Sequence, residues 1–596
     1  MKKLLLLLTG LSCLSCYSQN AQSLQWWNPI EHSFHVIEGQ AWPDSVLAPY
    51  DRLPAQNQYT MSTGVWTNSR YSAGLMIRFR SNSTNIHIRY TVAKKDRLAL
   101  NHMPATGVSG LDLYAIDSDG QEVWCAGKRE FADTVIYRYQ GLKANDRYHQ
   151  DGREYRLYLP LFNQVEWLEI GVEPATYFAA LPVRPEKPIV VYGTSIAHGA
   201  CASRPGMAWT AILGREMDRP LINLGFSGSG RLEKPMIDLL AQIDAKVYIL
   251  DCLPNLIPEA WKRASIADGE ALKARILAAV RDLRAARPET PILLVEHAGY
   301  TQEWVDEGRQ KAYRSVNQIQ LAAYYQLKKE GVTGLYYLTK EEIGLELDDM
   351  VDGTHPTDLG MRHYADSYEQ KLREILHEPI GTLSTTKPCT QYREPNNYDW
   401  EERHRDILEM NQSDPAKTVI LANSIVHFWG GLPRTNLVRE AASWEDILTP
   451  MGVRNFAYGW DRIENVLWRV YHGELDGFDA ERIILMIGTN NLHLNTDEEI
   501  IAGLDLLIEA IKVRQPHAEI VLIGLLPRRD QESRLAELNL AISRLAGNSD
   551  VAFADLGEAF LKEDQSIKED LFSDGLHPNA AGYLRLREAL IPFLSK

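Results

Sequence analysis

The chain has 596 residues, 45% of them hydrophobic and 24% charged, which is the profile of soluble globular domains rather than of a disordered or membrane-embedded protein. That length is too great for one core, and a prior of ~150 residues per domain suggests about four units before any pattern is read. Acidic residues number 79 against 63 basic ones, a formal charge of −16, which excludes an electrostatic grip on phosphate backbones and removes nucleic acid from the expected partners.

In chain order, Lys2 and Lys3 precede the apolar run Leu4 to Leu8 and a stretch of small residues before Gln19. This is the pattern of a bacterial export signal at residues 1–18, with cleavage after Ser18. Its apolar part is too short for a permanent membrane span, and no later run of about 20 apolar residues supplies one. Cys13 and Cys16 keep a lipid anchor open, although neither follows a Leu-Ala-Gly style lipoprotein box. The expected location is the periplasm, cell surface or exterior of a bacterium. After Ser18 only Cys125, Cys201, Cys252 and Cys389 remain, without metal-ligand spacing. No metal, cofactor or disulfide scaffold is expected, and one bridge, such as Cys201 to Cys252, is the most an oxidising compartment would add.

Residues 19–180 read as a β-sandwich. Ile86 to Tyr90, Tyr155 to Leu159 and Val165 to Ile170 alternate apolar and polar residues, and turn-rich stretches such as Asp117 to Gly120 separate them. From Pro188 the texture changes. Ile189 to Tyr192, Val247 to Leu250 and Ile292 to Val295 are wholly apolar and alternate with helical stretches such as Glu270 to Leu283, as in a parallel sheet covered on both faces. This α/β unit spans 181–378. The stretch 379–415 is rich in Pro, Thr, Asn and charge, and holds a linker and a lead-in helix around Trp400 to Met410. A second α/β unit occupies 416–596, with Thr418 to Leu421, Ile483 to Ile487 and Ile520 to Ile523 as strands and Glu498 to Val513 as a helix.

The chemistry gathers at the strand ends. In the first unit a strand runs into Gly193-Thr194-Ser195, where a serine would sit at the carboxyl edge of the sheet beside a helix N-terminus. A serine helix cap would read the same way locally. Downstream, Asp352-Gly353-Thr354-His355-Pro356 places a carboxylate three residues before an imidazole, ahead of a final helix from about Leu359. Asp352 could orient His355, and His355 could deprotonate Ser195.

With these two segments in place, the unit resembles the SGNH, or GDSL-type, hydrolase family, a flavodoxin-like α/β fold with four sequence blocks. Asn223-Leu224-Gly225-Phe226-Ser227-Gly228 resembles the second block, and the resemblance implies that the Gly228 amide donates to the oxyanion. Asp251-Cys252-Leu253-Pro254-Asn255 resembles the third, with Asn255 as side-chain donor and Leu253 where the family has glycine. The second unit repeats the order with Ala422-Asn423-Ser424-Ile425, Asn455 to Trp460, Gly488-Thr489-Asn490-Asn491 and Asp574-Gly575-Leu576-His577-Pro578. Serine and aspartate lie 157 positions apart in the first unit (195 to 352) and 150 in the second (424 to 574). The second copy resembles platelet-activating-factor acetylhydrolase catalytic subunits, but Ala422-Asn423 replaces the usual Gly-Asp and Trp460 stands at the amide-donor position of block two. Its implied site is Ser424, Asp574 and His577, with Trp460 and Asn490 as oxyanion donors.

Gly110-Leu111-Asp112-Leu113-Tyr114 resembles a motif of the sandwich that precedes some bacterial SGNH esterases. Tyr114, Trp124 and Trp167 could stack on sugar rings, although alternating aromatics in a sandwich more often form core. His198, Trp209 and His427 lie near the serines as pocket or packing residues. The expectation is therefore an exported carboxylic ester hydrolase, a carbohydrate esterase that removes O-acetyl groups from polysaccharides or oligosaccharides, with two active sites. A lipid or phospholipid-type acyl esterase, or a carbohydrate-binding protein with a degenerate second unit, would share these features. The pattern is silent on oligomeric state.

Overall fold

The computed structural model describes residues 23–146, 149, 152–257 and 269–594. The expected export signal, with Cys13 and Cys16, lies outside the described residues. No helix among the described residues is long and apolar enough to cross a membrane.

From Gln25 to Ala180 two antiparallel sheets pack face to face. One has the order Gln25–Trp27, Val165–Val172, Asn85–Val92, Val135–Gln140, Lys128–Glu130. The other has the order Phe178–Ala180, Met76–Ser81, Arg153–Tyr158, Asp112–Ile116, Glu122–Cys125, with Ile37–Glu38 beside Met76–Ser81. The period-two pattern explains the core: Ile86, Ile88, Tyr90 and Val92 from one sheet meet Ile77, Phe79, Leu113 and Leu157 from the other. Met76–Ser81 breaks the alternation and is buried on both faces. Its outward Arg78 and Arg80 are covered by the helix Trp400–Ser413 and its cap, Arg78 pairing with Glu154 at 2.9 Å and with Glu401, and Arg80 with Asp399 at 2.8 Å.

Each α/β unit is built on a five-stranded parallel sheet. The first has the order Leu221–Gly225, Ile189–Gly193, Val247–Asp251, Ile292–Val295, Leu335–Leu338. The second has the order Val453–Ala457, Thr418–Ala422, Arg482–Met486, Glu519–Ile523, Ala552–Ala554. Both follow the doubly wound order 2-1-3-4-5. In the first, Val190 and Tyr192 face one core with Leu224 and Leu250, while Ile189 and Val191 face the other with Ile249 and Leu293. Burial on both faces is why these strands read as unbroken apolar runs.

Leu221–Gly225 and Val453–Ala457 are edge strands, and an edge leaves backbone carbonyls to be satisfied from outside the sheet. A buried arginine from the segment preceding each unit does this. Arg52 Nη1 donates to the carbonyls of Asn223 at 2.9 Å and Gly225 at 3.0 Å, and its Nε and Nη2 donate to Tyr71 and Asn68 carbonyls. Arg403 repeats the pattern, donating from Nη2 to Asn455 at 2.7 Å, from Nε to Ala457 at 3.0 Å and from Nη1 to Pro433. Even the aromatic neighbour is kept: the guanidinium lies 5.0 Å from the Phe226 ring centroid in one unit and 5.1 Å from that of Tyr458 in the other.

Candidate active site

Parallel register brings the loops of each site to one edge. Gly193 pairs with Gly225 on one side and Asp251 on the other, so the first three blocks leave the sheet at the same level. Ala422 pairs likewise with Ala457 and Met486. Ser195 opens the short helix Ser195–His198, and the Thr194 side chain caps it through the Ile196 amide. Asn423 does the same for Ser424 through the Ile425 amide at 3.0 Å, so the unusual Ala-Asn pair keeps the capping chemistry.

The downstream histidines close on these serines. Ser195 Oγ lies 2.8 Å from His355 Nε2, and His355 Nδ1 lies 2.7 Å from Asp352 Oδ2. In the second unit Ser424 Oγ lies 2.9 Å from His577 Nε2, and His577 Nδ1 lies 2.7 Å from Asp574 Oδ2. Each carboxylate's other oxygen accepts the histidine's own backbone N–H at 2.8 Å, together with one further amide, from Thr354 or Leu576. Burial pushes both carboxyls up, but these hydrogen bonds outweigh it and hold Asp352 and Asp574 below the usual range. An ionised carboxylate only accepts, so Nδ1 carries the proton and Nε2 is left to receive the serine hydroxyl. Either serine can thus be deprotonated for attack on an ester carbonyl.

The block-two turns hold the amides that the family resemblance assigns to the oxyanion. Gly228 has φ +68°, the left-handed region that favours glycine, and space above it is open. Trp460, which the block order aligns with it, has φ +60°. A bulky residue there is strained by about 1–2 kcal/mol, and the amide is nonetheless presented in the conformation Gly228 adopts. The two asparagines that the resemblance assigns as side-chain donors are held differently. Asn255 ends the turn Leu253–Asn255 and orients its amide so that Oδ1 accepts from Ser229 N at 3.1 Å and Gly230 N at 3.2 Å, which leaves Nδ2 on the opposite side. Leu253, where the family has glycine, is buried in the core. Asn490 instead donates one of its two Nδ2 hydrogens to the Asp461 carbonyl at 2.9 Å and keeps the other.

Burial pushes the His577 imidazole below its ordinary 6.5, outweighing the pull of Asp574. A base works only when neutral, so with the second site alone active, the acid limb of the kcat/KM profile is expected below pH 6.5. A limb above that value in a Ser195→Ala variant would contradict this environment.

Comparisons with known proteins bear on the chain as a whole. A family model described as "GDSL-like Lipase/Acylhydrolase family" matches residues 186–373, a second of the same description matches 423–585, and one described as "N-terminus of Esterase_SGNH_hydro-type" matches 24–178. The human platelet-activating factor acetylhydrolase IB subunit alpha2 is 30% identical over 198 residues, covering 32% of this chain and 81% of that protein. The chain belongs to the GDSL/SGNH lipase-acylhydrolase family. The human alpha1 subunit is 29% identical, covering 31% of this chain and 78% of its own. The crystal structure of a GDSL-like lipase from Bacteroides ovatus is 30% identical, with a TM-score of 0.53, and covers 60% of this chain and 98% of its own. This tandem GDSL/SGNH protein is a carboxylic ester hydrolase, with an antiparallel β region ahead of its two α/β units.

Several readings left open around the GDSL/SGNH sites are decided by the structure. His198 and His427 are buried packing residues: His198 Nε2 meets the Leu161 carbonyl at 2.7 Å, and His427 Nδ1 accepts the Gly459 amide at 2.8 Å. Trp209 stacks on Tyr368 inside the core, 4.3 Å between centroids. Tyr114 is buried in a small cluster with Met76 and Tyr158, apart from the main sandwich core, whereas Trp124 is 45% exposed with its indole N–H held in place. Asp112 accepts from Trp124 Nε1 at 2.6 Å, from Gly206 N at 3.0 Å and from Arg204, whose Nη1 also reaches the Tyr114 hydroxyl at 2.7 Å. The Gly110 to Tyr114 motif therefore clamps the hydrolase loop that follows Ser195. Trp167 lies beside Arg89. Cys125, Cys201, Cys252 and Cys389 are free thiols, so the Cys201 to Cys252 bridge is absent. Cys201 does bring its sulfur close to the relay, with ligand atoms of Cys201, Asp352 and His355 all within 4.8 Å of one another; an ion there would have to displace the proton shared by Asp352 and His355.

Sequence reasoning missed Asn223 and Asn455 as positioning residues. Asn223 Nδ2 donates to the Ala197 carbonyl at 2.7 Å while its Oδ1 accepts the Gly225 amide at 2.8 Å, which ties the nucleophile helix to block two. Asn455 makes the matching bonds to Val426 at 2.9 Å and Ala457 at 3.0 Å. Their shared place two residues before the strand end was the available signal.

Proposed function

We propose that the protein is an exported carbohydrate esterase that removes O-acetyl groups from polysaccharides or oligosaccharides, with one site in each α/β unit. Ser195, deprotonated by His355, attacks the acetyl carbonyl. The Ser195 and Gly228 amides and Asn255 Nδ2 receive the oxyanion, and His355 returns the proton to the departing sugar hydroxyl. Water then releases acetate. Ser424, His577 and Asp574 repeat the cycle, with the Trp460 amide and Asn490 as donors.

The observation that carries the reading is where the relays sit. The side chains of Asp352 and Asp574 are 40% and 48% exposed, and those of His355 and His577 22% and 18%. A site this open receives a bulky polar alcohol from the surface. The residues that follow each serine are buried, and a short acid such as acetate asks for the least room beside them. Export rests on Lys2, Lys3 and the apolar run after them. The likeness to the platelet-activating factor acetylhydrolase subunits favours a second reading, short-chain phospholipid esters, which shares the acetyl group and differs in the alcohol.

The test is acetate release from a panel of acetylated polysaccharides and from a short-acyl phospholipid, with the Ser195→Ala/Ser424→Ala protein as blank. Release from saccharides and none from lipid supports the reading; the reverse replaces it with the phospholipid one. On the preferred substrate, Asn255→Ala in a Ser424→Ala background is expected to lower kcat by about 10²- to 10³-fold, measured as initial rates.

A further inference from the structure

The two sites share a relay but not its surroundings. In the first, the sandwich reaches over the histidine. Leu100 and Met103 exchange backbone hydrogen bonds at 2.9 and 3.1 Å, which makes Asn101 and His102 the tip of a tight turn. Met103 is buried in the α/β core with Ile196 and Ala202, and Thr106 Oγ1 donates to the Ser203 carbonyl at 2.6 Å. The tip is thus fixed to the loop after the nucleophile. At that tip the exposed His102 ring lies 5.9 Å from the His355 ring, with 25° between their planes.

A second segment flanks the same relay. Between the strand Ile292–Val295 and the helix Glu307–Lys329 the chain folds around Gln302, whose carbonyl accepts from the Val305 and Asp306 amides at 3.0 and 2.9 Å. Gln302 presses on Gly353, so closely that a Cβ there would lie 2.2 Å from its side-chain amide, and Arg309 reaches the Thr354 hydroxyl. The base of this turn is packed, with Glu303 8% exposed, yet its apex holds Trp304 at 80% and Val305 at 89%. A pinned turn that lifts an indole into water beside a catalytic loop loses apolar burial unless a ligand covers it.

Among the described residues, neither the turn that carries His102 nor the raised Trp304 loop has a counterpart at the second site, where Phe428 of the same unit lies 5.8 Å from His577. The loop matching 296–306 is 524–531, three residues shorter, and sets Arg528, Arg529 and Asp530 there. Arg529 takes the place of Gln302 against Gly575.

We propose that His102 and Trp304 form the alcohol-side subsite of the first active site, where sugar rings of an acetylated oligosaccharide or polysaccharide stack on the two aromatic faces; the second site, lacking both, accepts smaller alcohols. This rests on the carbohydrate-esterase reading. Sugars carry apolar C–H faces that match an aromatic plane, and a chain of charge −16 is a poor partner for an anionic bilayer.

The test uses full-length protein with Ser424→Ala, so that only the first site turns over. Trp304→Ala and His102→Ala are expected to raise KM for acetylated oligosaccharides about tenfold and to leave kcat/KM for methyl acetate, whose alcohol is too small to stack on either ring, unchanged, with His102→Tyr restoring affinity. Unchanged oligosaccharide KM in both variants overturns the proposal. So does loss of phosphatidylcholine-vesicle binding on Trp304→Ala with saccharide kinetics intact, which would make the tryptophan a lipid contact. If wild type cleaves methyl acetate but no acetylated saccharide, the parent reading fails. Quenching of Trp304 fluorescence by deacetylated xylo-oligosaccharides, scored as the wild-type minus Trp304→Ala difference, then judges the subsite by itself: saturable quenching supports it, and none overturns it.

Discussion

The Ser195→Ala/Ser424→Ala protein is expected to lose ester turnover by at least about 10⁴-fold, whereas each single variant keeps the turnover of the other site. The size follows from the geometry of both relays. With Oγ gone, His355 Nε2 and His577 Nε2 have no hydroxyl at 2.8 and 2.9 Å to deprotonate, and water must attack unaided. The oxyanion donors remain, so a residual rate above background is expected. The singles are the sharper measurement. Ser195→Ala isolates a site whose block-two amide belongs to Trp460 and whose Asn490 holds one hydrogen on Asp461, while Ser424→Ala isolates one with Gly228 and a released Asn255 Nδ2. Initial rates on one small acetate ester give both. Turnover in the double variant near wild type would show that neither serine is the nucleophile, and a silent Ser195→Ala protein would assign all activity to the first unit.

What the sequence made legible were features with a short range or a strong period. The sheets announced themselves because strands buried on both faces must be apolar throughout, and Ser195, Asp352 and His355 because the relay uses side chains fixed by local turns. The donors at Gly228, Asn255 and Asn490 could be placed only through block order. For Trp460 the residue type argued against its position, since the proposed role falls to the backbone alone, at φ +60°. Other contributions had no local signature. His102 lies in a different domain from His355, and nothing in Asn101-His102-Met103 marks a ring that will stand over a catalytic imidazole. Asp112 and Tyr114 read as strand residues because their partner Arg204 lies about ninety positions away across a domain boundary. Trp124 lies in a strand yet stays 45% exposed, its indole N–H on Asp112 of the neighbouring strand.

Arg52→Ala is expected to destabilise the first α/β unit by about 3–5 kcal/mol, and Arg403→Ala the second by a similar amount. Each guanidinium is fully buried and hydrogen-bonded to backbone carbonyls, those of Asn223 and Gly225 in one case and of Asn455 and Ala457 in the other. Burial without a well-placed carboxylate pushes Arg52 down to about 9, Asp51 only partly compensating, and pushes Arg403 down as well. The proton is retained at neutral pH because a guanidinium is basic enough to keep it even when buried. Alanine removes every donor at once, and an unsatisfied buried carbonyl costs about 1–3 kcal/mol. Lysine can replace the charge but not the fork that spans alternate carbonyls of one strand, so Arg52→Lys is expected to recover only part of the loss. Urea titration followed by tryptophan fluorescence reads this as an earlier transition in one unit, with the other unit's transition in place. The consequence reaches the chemistry, because Asn223 and Asn455, whose carbonyls the arginines hold, also fix the helices that begin at Ser195 and Ser424. Arg52→Ala should therefore lower first-site kcat below its melting transition while second-site turnover stays unchanged. An unaltered first-site rate in a destabilised protein would show that the edge strand is held for stability alone.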